Sequence, residues 1–499
     1  MTICSLPKTE LFLYFSFLIG CFVYSTYQVY LAGEILVLNQ SDTESYLAEG
    51  WFGYKKDVSH RRWDDWINMT VFTLSKWVAT HLVLTQLTRW ICPKGIPAVH
   101  SLITLSMICV HFGPEAASFM FIHVCFYFFT LQLNSVTKTW LLGLPFTTVL
   151  TVVLHTLWKI KGREMSLFTR LVVSTMWQHM RCTSFVFDHL NPENKLTKSR
   201  LITFYNLIGY CFYLPTYFIG PLILYSDFGP YMYHSFKKLT LRRIGLLVLN
   251  SLRFLFWAAV LEISLHFLYI HALKHRISEV ALLGIWTFDG LGVLLGIFFN
   301  LFLIVFYGLG NTFASFDGYN PPPPPKCMLH YHLYTDIWRR LDVGFYKYMQ
   351  KYVYLPLSRG SADWRRRILA SAACFSFVIF WHGMAPIILI WCFLNWLVVL
   401  LVTVASAFNK SVVYQDWERH MFSGTNIRRL KALLAAPVLL MGSISSSFFV
   451  CDVQFGSFLI KEIFFNGSWS AFAVIIFICY SFCQISVETK QWESKQISK

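Results

Sequence analysis

The sequence predicts an all-α, polytopic transmembrane protein. Three observations carry that reading: 56% of its residues are hydrophobic against 14% charged, apolar runs of membrane-spanning length recur along the chain, and the cations gather in short groups between those runs. A helix that crosses the hydrocarbon core needs about 20 mainly apolar residues. A chain this apolar belongs in a bilayer.

The runs are Leu11–Leu31, Val71–Cys92, Pro97–Phe112, Ala116–Leu133, Thr139–Trp158, Leu201–Tyr225, Ile244–Leu273, Leu282–Tyr307, Ile368–His382, Ile387–Ala407, Ala432–Val450 and Trp469–Cys483. Roughly a dozen membrane-embedded segments are therefore expected, several nearer 15 residues than 20 and so short enough to be re-entrant or broken. Leu11–Leu31 exceeds the apolar region of a signal peptide and is expected to be a retained first span. Residues 1–499 read as a single membrane-embedded domain with no internal repeat of fixed period. Within it, residues 32–68 are polar and carry Arg61, Arg62, Trp63, Asp64, Asp65 and Trp66, a mixture expected to lie along the membrane surface. Residues 317–326 hold five consecutive prolines, Pro321–Pro325, which set a stiff extended connector between two embedded halves.

The formal charge of +16 invites a nucleic-acid reading, but its cations are dispersed in clusters such as Lys159, Lys161 and Arg163; Lys195, Lys198 and Arg200; Lys237, Lys238, Arg242 and Arg243; and Arg365–Arg367. That distribution excludes a nucleic-acid partner and fits loops held on one side of a membrane lipid bilayer. Attraction of an anionic substrate is the alternative use of the same charge. The 13 cysteines fall mostly inside apolar runs without the spacing of a disulfide framework, and they read as small core residues.

Two ionisable residues stand out against the apolar background. At helical spacing over residues 334–349, Trp338, Asp342, Phe345, Tyr346 and Met349 share a face, with Val353 continuing it and Asp342 its lone carboxylate. Such a group at membrane depth needs a partner or a wet cavity, so it is either a structural hydrogen-bonding residue or functional. Some forty residues later the run Phe375–Phe380 ends in Trp381-His382-Gly383, and Asn395-Trp396 follows in the next span. His382 is either a satisfied polar residue or a proton acceptor, and a pairing with Asp342 favours the second.

Trp338-Arg339-Arg340-Leu341-Asp342-Val343-Gly344, Tyr352-Val353-Tyr354-Leu355-Pro356 and Phe380-Trp381-His382-Gly383 resemble signatures of the membrane-bound O-acyltransferases. Arg181–Phe185, Tyr213-Leu214-Pro215 through Gly220-Pro221 to Phe228, Glu262 to His271, Tyr307–Gly310 and Leu394-Asn395-Trp396 extend the likeness over nearly the whole chain. Within the family it is most similar to the enzymes acting on hedgehog-type signals. That resemblance implies an endoplasmic-reticulum enzyme, multi-pass in the membrane, moving a palmitoyl group from palmitoyl-CoA to the N-terminal cysteine amine of a secreted hedgehog-type protein. It implies His382 and Asp342 as catalytic residues, with Trp338, Arg339 and Asn395 binding substrate. Where close relatives carry an asparagine near the site, an approximate alignment places Ser446.

The resemblance also implies a haem b whose iron is held by Cys327, whereas the residues alone allow an ordinary loop thiol. A zinc site at Cys327, His330 and His332 would lack a fourth ligand. Glu262, His266 and Tyr269 at helical spacing read as a buried structural network. Chemically, an α-amine with a reference pKa of about 7.7 to 8.0 needs only a nearby base during attack, which suits His382. Asp342 would orient the imidazole or place the amine, and no nucleophile motif calls for a covalent acyl-enzyme. The competing readings are transfer to a secreted-protein serine or a lipid hydroxyl, a non-catalytic membrane scaffold, and a transporter.

Overall fold

Backbone polar groups within a bilayer must find partners inside the protein, and here helices provide them almost throughout. The computed structural model describes residues 5–38, 45–162, 164–191, 199–218, 220–234, 239–360 and 363–497. The clustered cations Arg163, Lys195, Lys198, Lys237 and Lys238 lie outside the described residues, as do residues 39–44 of the expected surface segment.

The first half runs through α1 (Lys8–Gly33), a two-stranded antiparallel hairpin of β1 (Leu47–Glu49) and β2 (Lys55–Asp57), α2 (Arg61–Asn68), α3 (Ser75–Ile91), α4 (Ile96–Phe112), α5 (Pro114–Gln132), α6 (Val136–Ile160), α7 (Met165–Leu190), α8 (Arg200–Cys211) and α9 (Tyr225–Phe228). It continues with α10 (Leu241–Phe267), α11 (Ile270–Lys274), α12 (Ile277–Leu282) and α13 (Ile285–Phe316). Beyond the prolines come α14 (Tyr334–Arg340), α15 (Val343–Met349), α16 (Leu355–Ser358), α17 (Trp364–Trp381), α18 (Pro386–Asn409), α19 (Val412–Met421), α20 (Gly424–Val450), α21 (Val453–Lys461) and α22 (Trp469–Ile497).

Nine of these helices among the described residues, α1, α4, α5, α6, α10, α13, α18, α20 and α22, are long and apolar enough to cross a membrane. They coincide with nine of the twelve runs read from the sequence. The other three are shorter or interrupted. Val71–Cys92 starts in a π-helical turn and continues as α3, which buries His81, Gln86 and Arg89. Ile368–His382 is the C-terminal part of α17, whose first turn holds Arg365, Arg366 and Arg367. Leu201–Tyr225 is α-helical only as far as Cys211 and then makes a single 3-10 turn at Leu214–Thr216, because Pro215 and Pro221 cannot donate into a helix.

The stretch after α8 is irregular yet buried, and α7 supplies what its backbone lacks. Every residue of α7 from Ser174 to Asp188 is buried. Its Arg181 guanidinium donates to the carbonyls of Cys211 and Thr216 and to Thr216 Oγ1, and it lies 5.5 Å from the Tyr217 ring centre. Helix α13 crosses the same stretch at Gly310, where an added Cβ would stand 2.0 Å from the Gly220 carbonyl oxygen.

Pro321–Pro325 carry no regular secondary structure, and Asn311 Nδ2 donates to the Pro322 carbonyl at 2.8 Å. The segment before α3 packs its tryptophans inward. Trp63 and Trp66 are buried, Trp63 against Phe298 and Phe302 of α13, and the Trp63 indole N–H donates to Glu262. Glu262 also holds Lys56, and His266 Nε2 accepts from the Trp51 amide. Glu262 and His266 thus form the structural network expected of them, while Tyr269 sits past the end of α10 at φ 48°.

Gly310→Ala should lower the thermal midpoint of the purified protein, because backbone on the facing segment cannot rotate aside; overpacking of this kind costs about 1–3 kcal/mol. Tryptophan fluorescence during heating in detergent measures it, and an unchanged midpoint would show that the crossing has slack.

Candidate active site

Both candidate catalytic residues stand at helix ends. His382 is the C-cap of α17, and the chain beyond it closes a Schellman motif: Gly383 N–H bonds the Phe380 carbonyl at 3.1 Å and Met384 N–H bonds the Ile379 carbonyl at 3.0 Å. Gly383 has φ +90°, a conformation that costs glycine nothing. The Trp-His-Gly run is therefore also a helix stop. It leaves the imidazole half-buried and without a hydrogen-bond partner among the described residues.

Aromatic rings surround that imidazole. Trp381 meets it edge to face with centroids 4.5 Å apart, Phe449 at 5.1 Å and Trp391 at 5.5 Å. Trp391 and Phe449 stack on each other at 4.3 Å, and Trp338 packs on Trp391 at 5.6 Å and Phe375 at 5.1 Å.

The continuous helix expected over residues 334–349 is broken at Asp342, which adopts φ −134° and ψ 88°. Its Oδ1 accepts the Phe345 N–H at 2.9 Å, making it the N-cap of α15, and its Oδ2 accepts the Tyr307 hydroxyl at 2.8 Å. Asp342 and His382 share no hydrogen bond or ion pair among the described residues. The two are joined by a chain of rings instead: Tyr307 to Trp177 at 6.4 Å, Trp177 to Trp381 at 5.5 Å, then the imidazole. An aspartate is a favoured N-cap because its carboxylate satisfies an amide that the first helical turn leaves free. That local demand, absent from a periodicity argument, breaks the helix.

His382 and Asp342 lie in connections outside the nine candidate spans. Burial pulls the His382 imidazole down to about 4, and the Arg62 guanidinium acts in the same direction. Burial pushes the Asp342 carboxyl above its ordinary value, against the opposing pull of the Phe345 amide and the Tyr307 hydroxyl. Near neutral pH the imidazole is therefore uncharged and able to accept a proton.

The remaining expected site residues fall in three places. Trp338 lines the aromatic pocket, Arg339 is exposed, and Asn395 is fully buried. Asn395 accepts the Tyr334 hydroxyl through Oδ1 and donates to the Trp391 carbonyl at 2.6 Å and Ser445 Oγ at 2.8 Å. Ser446 Oγ is 2.9 Å from the same Tyr334 hydroxyl. Cys327 is exposed at the start of a single turn, Met328–His330. His332 Nδ1 lies 2.8 Å from Lys490 Nζ and His330 Nε2 lies 3.3 Å from Glu493, and no group of three His, Cys, Asp or Glu side chains is placed to hold a metal ion among the described residues.

Sequence reasoning assigned no role to Trp177, Tyr307, Trp391 or Phe449. Trp391 and Phe449 sit in apolar runs that give no local signal, whereas Tyr307 and its following glycines were visible as a motif. Helix α7 was also missed as an element, because its Gln178, His179, Arg181 and Asp188 lower its apolarity. It anchors the site from behind: Thr183 Oγ1 is 2.7 Å from the Tyr348 hydroxyl and Ser184 Oγ is 2.9 Å from that of Tyr352.

Residues 122–445, more than half the chain, match the model of the MBOAT, membrane-bound O-acyltransferase, family. The chain belongs to the membrane-bound O-acyltransferase family. It is a multi-pass membrane acyltransferase. It is 26% identical to the protein-cysteine N-palmitoyltransferase Rasp of Drosophila melanogaster over 493 residues, 96% of this chain and 95% of that one. It is likewise 26% identical to the protein-cysteine N-palmitoyltransferase HHAT of Mus musculus over 448 residues, 87% and 89% of the two chains. A membrane-bound O-acyltransferase of Millerozyma farinosa, GUP1, is 27% identical over 258 residues, 48% of each chain.

In this acyltransferase, Asp342→Ala should lose the cap on α15 and about 1 kcal/mol of stability, while Asp342→Asn should retain most of it. Thermal midpoints of both purified variants test this; equal midpoints would remove the capping role.

Proposed function

We propose that this protein transfers a long-chain acyl group, palmitoyl in particular, from acyl-CoA to the N-terminal cysteine amine of a secreted hedgehog-type protein in the endoplasmic-reticulum membrane. The observation that carries the reading is the likeness to two protein-cysteine N-palmitoyltransferases over 87% or more of the chain. The free imidazole of His382 inside an aromatic pocket supports it.

In the proposed reaction the amine lone pair attacks the thioester carbonyl carbon and the carbonyl π pair moves to oxygen. His382 takes the amine proton. Collapse of the oxyanion breaks the C–S bond, and the departing thiolate receives that proton to leave as free CoA. Trp338 and Trp391 keep water from the thioester, and Asn395 holds Tyr334 and α20 in place behind the pocket rather than meeting substrate directly. Arg339, exposed beside this region, is suited to the anionic donor. Asp342 acts on the pocket through Tyr307 and the turn that it caps.

Purified enzyme with palmitoyl-CoA should acylate a peptide beginning with a free cysteine, and the product should survive neutral hydroxylamine, which cleaves thioesters and spares amides. Acetylating the peptide amine should abolish it. His382→Ala should remove turnover and Asp342→Asn should strongly impair it, each with the protein still folded by thermal midpoint. The rate should rise with pH through the amine's own ionisation, about 7.7 to 8.0, since only the neutral amine attacks. Acylation of a serine peptide or a glycerolipid instead would move the assignment to another acceptor, and a fully active His382→Ala would overturn it.

A haem held by Cys327 rests on the family resemblance. The exposed Cys327 thiol offers one axial thiolate, while the cavity of about 360 Å³ lined by Pro323, Pro324, Lys326, Arg340, Lys490 and Glu493 does not include Cys327, and Lys326 and Lys490 are paired with Glu493 and Asp336. Wild-type protein should then show haem absorbance and Cys327→Ala should lose it; an unchanged spectrum in the variant would assign the iron to another ligand.

A further inference from the structure

Acyl transfer places negative charge on the thioester oxygen, and the pocket must contain a donor to receive it. The polar side chains nearby are already engaged. The Tyr307 hydroxyl is given to Asp342, Asn395 is bonded to Tyr334 and Ser445, and Ser446 meets Tyr334. What stays open is indole. Three buried indole N–H groups lack a hydrogen-bond partner among the described residues, Trp66, Trp338 and Trp381, and two of these three belong to this one pocket.

Trp381 is the better placed of the pair. Its ring lies 4.5 Å from the His382 imidazole and almost perpendicular to it, whereas Trp338 reaches the imidazole only through Trp391. The other rings packed on Trp381 are Trp177 and Phe345, at 5.5 Å each, and Trp177 offers no acceptor beyond a π face. A buried N–H normally has a partner, so one left open beside a proton acceptor marks the place of a group the free protein lacks.

We propose that the Trp381 indole N–H is the oxyanion donor, a catalytic residue that hydrogen-bonds the thioester oxygen as the amine attacks. The inference rests on the reading of His382 as the base. In the step, nitrogen–carbon bond formation shifts the carbonyl π pair onto oxygen, Trp381 N–H bonds that oxygen without losing its proton, and the pair returns as the CoA thiolate leaves.

Replacing the Trp381 indole by benzothiophene, through an unnatural amino acid, puts sulfur where N–H was and keeps the packed bicycle. Turnover of palmitoyl-CoA with a cysteine peptide should fall about 100-fold or more, the loss typical of removing one oxyanion donor. Affinity for an acyl-CoA thioether, which has no carbonyl, should stay within twofold, since the donor acts on the reacting oxygen alone. Trp381→Phe should show the same split with an added loss of midpoint. Turnover within twofold of the parent in the benzothiophene protein would overturn the donor, as would a loss confined to thioether affinity. If that protein is fully active while His382→Ala is inactive, Trp381 alone is rejected; if His382→Ala is active, the parent reading falls with it.

Discussion

A backbone that stops being helical in apolar surroundings must find partners for its own amides and carbonyls, and that requirement organises this enzyme. Each interruption near the site is closed by a particular side chain or motif. Arg181 covers the carbonyls of Cys211 and Thr216, Asp342 takes the first free amide of α15, and the Schellman turn around Gly383 closes α17. The same breaks free His382 and Asp342 from regular helix faces, where neighbours one turn away would crowd them. Helix termination thus falls at the two candidate catalytic residues, so a substitution at Asp342 carries a structural cost alongside any catalytic one.

Much of the fold was legible because burial in lipid demands long apolar helices, and that demand is written locally. Leu11–Leu31 and Ile387–Ala407 announce α1 and α18, and Pro321–Pro325 announces the connector, since no other backbone is open to five prolines. The interrupted segments were legible only as short runs. Leu201–Tyr225 has the composition of a span, but the distant Arg181 decides what its second half does. Helix α7 shows the reverse: its polar side chains face protein rather than lipid, so a scale that rewards contact with lipid passes over it.

The candidate site residues could be named from the sequence, but not their arrangement. Motif resemblance brought out His382, Asp342 and Trp338, and a helical period placed Asp342 on an aromatic face. The direct pairing of Asp342 with His382 was the natural guess for two ionisable residues in an apolar chain. Capping of α15 and the Tyr307 hydroxyl took the carboxylate instead, and three aromatic side chains from α7, α13 and α17 link the two residues. Asn395 follows the same logic, because a primary amide that reaches three partners within the protein has little left for a ligand.

Burial that keeps the imidazole neutral also makes it a weak base, and this bears on when it can take a proton. An amine attacks with its own lone pair and becomes strongly acidic only as the carbon–nitrogen bond forms, so a weak base receives its proton late. A hydroxyl is a poor nucleophile until its proton is leaving, and it asks for a stronger base, or a neighbouring anion, at the start of attack. The carboxylate that might raise the imidazole's basicity is occupied by Tyr307 and the α15 amide. With no anion touching His382 among the described residues, any rise in its basicity has to come with the bound substrates.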